Sequence, residues 1–287
     1  MSKIAVTGSL HYDIMLDADR RPEKGETVMG TRCSYKFGGK GGNQAVALAM
    51  TGTDVIFAGA VGDDEQGKFL LDTLEKAGVN TQFITVAEGC ASGMSVAITD
   101  AEGDYGAVVV SNANQRIALE TFQQDAFWHD VDVLVLQNEV PEAVNLCAAT
   151  EAKQRGVRVC LNAAPARQLS PALEASIDVL VVNAIEARDM SDIAVNCLHS
   201  AGQAAEKLST RFPCVVVTAG EHGVAYGERG QTSRLLAAKK IQLVSTHGAG
   251  DCFTGVLCAG LSSNKSLTDA VFAANEAAAR HVSAGKV

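Results

Sequence analysis

Val131-Asp-Val-Leu-Val-Leu-Gln-Asn-Glu139 is an apolar run that ends in three polar side chains, and three later stretches repeat its form. Val157-Arg-Val-Cys-Leu161 stops at Asn162, Ile177-Asp-Val-Leu-Val-Val182 at Asn183, and Cys214-Val-Val-Val217 at Thr218-Ala-Gly220. A strand with one wet face alternates apolar and polar residues. Runs as uniformly apolar as these, separated by helical segments, belong to a parallel sheet covered on both faces. Toward the N-terminus, Lys3-Ile-Ala-Val-Thr-Gly-Ser9 and Val55-Ile-Phe-Ala-Gly-Ala-Val61 have the same character, the second leading through Gly62-Asp-Asp64 into a helical pattern over residues 67–77. The expected class is α/β, with a mostly parallel central sheet and helices on both faces. Ligands of open sheets gather beyond the carboxyl ends of the strands, so Glu139, Asn162, Asn183, Glu186 and Thr218 are expected on one rim.

Two glycine-rich turns supply chemistry at that rim. In Val244-Ser-Thr-His-Gly-Ala-Gly-Asp-Cys-Phe-Thr-Gly-Val-Leu-Cys-Ala-Gly-Leu261, a turn of small residues runs directly into an apolar segment of helical length. Gly248, Ala249 and Gly250 let a ligand approach the backbone, and their N–H groups would sit at the positive end of the helix, making an anion hole. Asp251 stands at its mouth, either as a helix cap or as a catalytic base. Gly38-Gly-Lys-Gly-Gly-Asn-Gln44 opens a second, alanine-rich helix reaching to about Gly52, and its Lys40 and Asn43 can reach hydroxyl groups. No Gly-Lys-Ser/Thr ending follows, which argues against a nucleotide P-loop, and no ribose-binding acid stands at dinucleotide-fold spacing. Asp13, just past the first strand, could accept hydrogen bonds from two neighbouring hydroxyls, or it is a solvated turn residue.

Residues 14–36 and 92–110 alternate in the manner of exposed strands, with turns at 20–25 and 100–104. Neither piece can form a core alone. A last helical pattern covers residues 265–280. No internal repeat or linker interrupts the chain, so one domain carrying an inserted β piece is expected.

The 287 residues and 47 % hydrophobic content suffice for a large core, and the net charge of −9 argues against nucleic acid or an anionic membrane as partner. Eight scattered cysteines without a CxxC pair read as buried thiols in a reducing compartment. With no apolar run of spanning length and no signal-peptide pattern, a cytoplasmic location is expected.

Four segments in order resemble the ribokinase-like (PfkB-type) carbohydrate kinases: Gly8-Ser-Leu-His-Tyr-Asp13, Phe37-Gly-Gly-Lys-Gly-Gly-Asn-Gln-Ala45, Asn183-Ala-Ile-Glu186 and Thr246-His-Gly-Ala-Gly-Asp251. The resemblance implies that an ATP-dependent kinase phosphorylates a sugar hydroxyl, with D-ribose as the leading acceptor. Deoxyribose, fructose, a ketodeoxy sugar acid or a nucleoside are the alternatives within the fold. By the same resemblance His11, Asp13, Gly39, Lys40, Asn43, Glu139 and Asp251 hold the sugar, although His11 stands where the family usually carries Asn. Asn183, Thr218, Gly220, Gly223, Gly250 and Asn275 meet the nucleotide, with Thr218-Ala-Gly-Glu-His-Gly223 as its loop. Asn183 and Glu186 act on magnesium (Mg2+) through water, and the residues at about 12–37 and 92–111 form a β lid that often pairs with a second subunit. Asp251, with an ordinary carboxylate pKa, would take the acceptor's proton late in a loose transition state while Gly248, Ala249 and Gly250 steady the phosphoryl group. Ser245 replaces a family Asp and the chain stops at Gly285-Lys-Val287, so potassium (K+) is expected to matter little. From other classes, an NAD-dependent oxidoreductase lacks its acidic residue, and a non-catalytic sugar-binding protein would have no use for Asp251.

Overall fold

A computed structural model describes residues 3–102, 105–239, 241, 246 and 248–283. Its strands, in chain order, are β1 (Lys3–Thr7), β2 (His11–Ala18), β3 (Gly30–Gly38), β4 (Asp54–Gly62), β5 (Asn80–Ala87), β6 (Met94–Thr99), β7 (Tyr105–Val110), β8 (Val131–Gln137), β9 (Arg158–Asn162), β10 (Val179–Asn183), β11 (Cys214–Thr218), β12 (Gly223–Glu228) and β13 (Arg234–Ala237). The α-helices are α1 (Lys40–Ala49), α2 (Glu65–Lys76), α3 (Asp125–Trp128), α4 (Glu142–Gln154), α5 (Pro171–Ser176), α6 (Ala184–Ser191), α7 (Leu198–Ser209), α8 (Ala249–Ser262) and α9 (Leu267–Ser283).

Among the described residues, nine strands form one sheet in the order β13-β12-β11-β10-β9-β8-β1-β4-β5, parallel from β11 to β5 and antiparallel at the β12–β13 end. Strand alternation divides the core in two. Ala5, Leu134 and Leu136 pack with residues of α4, α5, α6 and α7 on one face, while Ile4, Val6, Val133 and Val135 pack with α1, α2, α8 and α9 on the other. The expected two-sided cover is therefore present. Three strands are additional to the sequence reading: β5 at one edge, and β12 and β13 at the other. Helix α2 begins earlier than the periodicity predicts, because the Asp64 side chain accepts the Gly67 N–H at 2.7 Å and caps it.

The alternating segments form a second sheet, β3-β2-β6-β7, in which each hairpin is antiparallel and β2 joins β6 in parallel. Part of the predicted 100–104 turn lies outside the described residues. Only Gly39 separates β3 from α1. Its φ is +88°, and a Cβ there would stand 2.7 Å from Ser9 O, so glycine alone fits. Because β3 is an antiparallel strand of the small sheet, the glycine run does not follow a parallel strand as a dinucleotide fingerprint requires.

Helices α1 and α8 lie close. A Cβ on Gly255 would stand 2.9 Å from Ala47 Cβ and 3.2 Å from Gln44 O, so the absent side chain sets their separation. One turn back along each helix, Asp251 meets Asn43 and Gln44. Among the described residues, no helix is long and apolar enough to cross a membrane.

Candidate functional site

The strand order reverses at β1, whose neighbours β4 and β8 lie on opposite sides, and the loops leaving β1 and β8 open a crevice between them. Ser9 Oγ donates to Glu139 Oε2 at 2.5 Å, and the same oxygen accepts the Lys40 N–H at 2.9 Å. One carboxylate thus ties β1's exit to the glycine turn before α1. His11 Nδ1 stands 4.0 Å from that oxygen, while its buried Nε2 has no partner among the described residues. Asp13 is buried where the two hairpins meet and accepts from Ser95 Oγ at 2.6 Å. A Cβ at Gly38 would fall 2.0 Å from Asp13 Oδ2, so the first residue of the glycine run makes space for the carboxyl group.

Asp251 lies in the first turn of α8 and is 7 % exposed. Gln44 Nε2 donates to its Oδ1 at 3.0 Å and Asn43 Nδ2 to its Oδ2 at 3.2 Å. Burial pushes its pKa above the ordinary carboxylate value, a rise that the Lys40 charge and the two amides partly offset and that Glu139 reinforces. The sequence expectation of an ordinary pKa therefore does not hold. Desolvation makes the group a better base than composition suggests.

Beside Asp251 opens a cavity of about 890 Å³. Lys40, Asn162, Asn183, Glu186, Thr218, Gly220, Thr246, Gly248, Gly250, Asp251 and Thr254 line it, with Met15, Lys36 and Thr99 contributed by the small sheet. No side chain caps α8, and Gly248 begins it at φ +74°. Gly250 faces open space, with nothing within 4 Å of a would-be Cβ. The Ala249 N–H, expected as an anion donor, is instead taken by Thr246 O at 3.2 Å. Ser245, His247 and residues 284–287 lie outside the described residues, and the potassium expectation with them.

Asn183 and Glu186 cap α6 reciprocally: Asn183 Oδ1 accepts the Ile185 and Glu186 N–H groups, and the Glu186 carboxylate accepts from Asn183 N and Nδ2 at 2.8 and 2.9 Å. Glu186 is nevertheless no surface residue. It is buried, and burial raises its pKa against the opposing Asn183 bonds and Lys40 charge. Two predicted nucleotide residues stand apart from the cavity wall. Gly223 begins β12 at φ +116°, where a Cβ would sit 2.1 Å from Leu236 O, so it shapes the backbone. Asn275 is half-buried on α9 and donates to Ala237 O at 3.4 Å, beside Gly223 in the β12–β13 ladder.

The family model for pfkB family carbohydrate kinases matches residues 1–286. The chain belongs to this family. This pfkB-family kinase is 34 % identical to the ribokinase of Bacillus subtilis, over 98 % of its own length and 93 % of the relative's. Among solved structures it superposes on Arabidopsis thaliana ribokinase complexed with ribose and ATP, with a TM-score of 0.91, 26 % identity, and coverage of 100 % and 95 % of the two chains. Ribokinase from Cryptococcus neoformans in complex with ADP gives 0.86, 30 % identity, and the same coverage.

The sequence reading singled out neither Gln44 nor Gln137 in this kinase, although both are fully buried and bonded to one another. The signal was present. Gly41, Gln44, Ala45 and Leu48 form the buried stripe of α1, so a polar side chain sits at a core position and needs polar partners there.

Proposed function

We propose that the chain transfers the γ-phosphoryl group of ATP to the 5-hydroxyl of D-ribose, with Asp251 as the base. The observation that carries this is the desolvated Asp251 carboxylate, held by two amides at the uncapped start of α8 beside a large cavity. The sugar hydroxyl oxygen bonds to the γ-phosphorus as the bond to the ADP oxygen breaks, and the hydroxyl proton passes to Asp251 Oδ2. The Gly250 N–H and the α8 dipole meet the phosphoryl oxygens, with Gly248 shaping the turn. Lys40, flanked by Glu139, Glu186 and Asp251, is placed to follow the transferring charge. Asp13, Gly39, Asn43, Glu139 and His11 surround the sugar; the unpartnered His11 Nε2 leaves a hydrogen bond for one of its hydroxyls. Thr218, Gly220 and Asn183 face the nucleotide end.

The Asn183–Glu186 pair offers hard oxygen donors, each already accepting protein hydrogen bonds, which suits a magnesium ion held chiefly by phosphate and water. When bound, the ion neutralises charge on the β and γ phosphates.

The small sheet acts as a lid, supported by the presence of Met15, Lys36 and Thr99 in the cavity wall. The edge strand β7 exposes Val108, Val109 and Val110, an apolar border that a second copy of the lid would cover. Substrate choice is tested by coupled measurement of ADP release over ribose, deoxyribose, fructose, a ketodeoxy sugar acid and a nucleoside, at fixed MgATP. We expect ribose to give the highest kcat/KM. ADP release unaffected by any of these acceptors would overturn the kinase reading.

A further inference from the structure

Gln44 is fully buried and every hydrogen-bonding atom of its amide is used. Nε2 donates to Asp251 Oδ1 and to Asn162 Oδ1, both at 3.0 Å, while Oε1 accepts from Gln137 Nε2 at 2.8 Å. Chemistry settles the amide's orientation, since a carboxylate only accepts and must therefore face the NH2 end. The partners are fixed in turn: Asn162 Nδ2 donates to Val181 O at 3.2 Å, and Asn145 Nδ2 to Gln137 O at 2.8 Å. The line from Gln137 Nε2 through the Gln44 amide to Asp251 has a single polarity and spans β8, α1 and α8, while Asn145 anchors the Gln137 backbone carbonyl.

We propose that Gln44 is a positioning residue for phosphoryl transfer, which reserves Asp251 Oδ2 as the atom that takes the acceptor's proton by occupying Oδ1. This rests on the reading of Asp251 as base. A carboxylate has two equivalent oxygens, and a free one could turn either toward the substrate or accept the proton on the buried side. With Oδ1 held by an amide that cannot reverse without losing three bonds, the anti-productive arrangement costs the network. Asn43 on Oδ2 is the weaker constraint, at 3.2 Å and outside the buried core. Gln44 also stabilises the charged form of Asp251, so its loss raises the pH at which the base becomes ionised.

The test compares Gln44→Met, which keeps length without polarity, with Gln44→Glu, which keeps shape but puts an acid against Asp251. For each, kcat, both KM values and the pH dependence of kcat/KM are measured, with thermal melting to establish folding. We expect kcat to fall about tenfold to a hundredfold, the scale of a lost hydrogen bond to a charged group, with sugar KM nearly unchanged. The acid limb of kcat/KM should move to higher pH in both variants. Should one variant fail to fold, the other carries the test alone. A folded variant with wild-type kcat and acid limb overturns the proposal, as does one whose loss lies wholly in KM. Asp251→Asn, assayed in parallel, separates the two readings: substantial turnover there removes Asp251 as base, whereas a dead Asp251→Asn beside fully active Gln44 variants removes only the role of Gln44.

Discussion

Changing Asp251 to Asn keeps the side chain's shape and its bond from Gln44 while removing the proton acceptor, and the half-buried Asn43 has to turn its amide oxygen to the new NH2. We expect kcat to fall by about a hundredfold or more, as lost general bases do, with ATP and sugar affinities within about tenfold of wild type; calorimetric titration and steady-state assays measure both. The same change should stabilise the fold. Asp251's folded pKa is raised by burial, so its favourable contribution is fully present below the unfolded carboxylate pKa and is lost as pH rises through the folded value. At neutral pH the ionised group opposes folding, and Asp251→Asn should raise Tm by a few degrees, about 1 kcal/mol being worth roughly 2–4 °C at this size. That advantage should shrink as pH falls toward ~4, where a carboxylate is neutral anyway; melting curves across pH check the sign. Glu139→Ala frees Ser9 and the Lys40 N–H and should raise sugar KM far more than ATP KM, since it unties the exit of β1 from the glycine turn before α1. Asn43→Ala should differ by lowering kcat as well, because Asn43 bonds the Asp251 carboxylate. Equal effects of Glu139→Ala on both KM values would misplace the sugar. The glycine turns were legible from residue types, because small residues before a helix have few uses, whereas the choice of Asp251 as base over helix cap came from the family resemblance. The Asp251 pKa was not legible, since it depends on burial that only the packed helices create.

At the scale of elements, α1 and α8 act as a pair whose spacing Gly255 sets. A leucine at 255 must displace α8 from Ala47 and Leu48, costing about 1–3 kcal/mol as overpacking typically does. It should also lower kcat disproportionately, because the displaced helix carries Asp251 away from Gln44; melting and kinetics on Gly255→Leu, with Gly255→Ala as the milder step, measure both. Stability loss with unchanged kcat would mean the helices tolerate separation without harm to the site. Strands β8 to β11 were legible as unbroken Val and Leu runs, buried on both faces. β5 escaped because Asn80-Thr-Gln-Phe-Ile-Thr-Val-Ala87 mixes polar and apolar residues, as a half-exposed edge permits. β12 and β13 escaped because two glycines interrupt the first and the second is only four residues long, and their place comes from pairing in the ladder beside β11 rather than from local preference.

For the whole molecule, the proposed lid pairing predicts a dimer by light scattering at micromolar concentration, and Val109→Lys on the edge strand should shift it toward monomer. A wild-type monomer at that concentration would leave the exposed Val108 to Val110 border unexplained by self-association. The two-sheet architecture was readable from alternation, whereas the joining of the hairpins through parallel β2 and β6 was not, since no local pattern announces which strands of separate hairpins meet. The place of β1 has a consequence in time. Made before either partner, it meets β4 first and then waits with its other edge bare until Val131 onward has been made. Ile4, Ala5 and Val6 spend that interval as an open apolar border, the kind that pairs with whatever strand is near. Nascent chains stalled before β8 should therefore aggregate or recruit chaperones, and those stalled after it should not. Synthesis thus sets the order of assembly: the crevice between β1 and β8 closes first, and the proposed base on α8 joins it later.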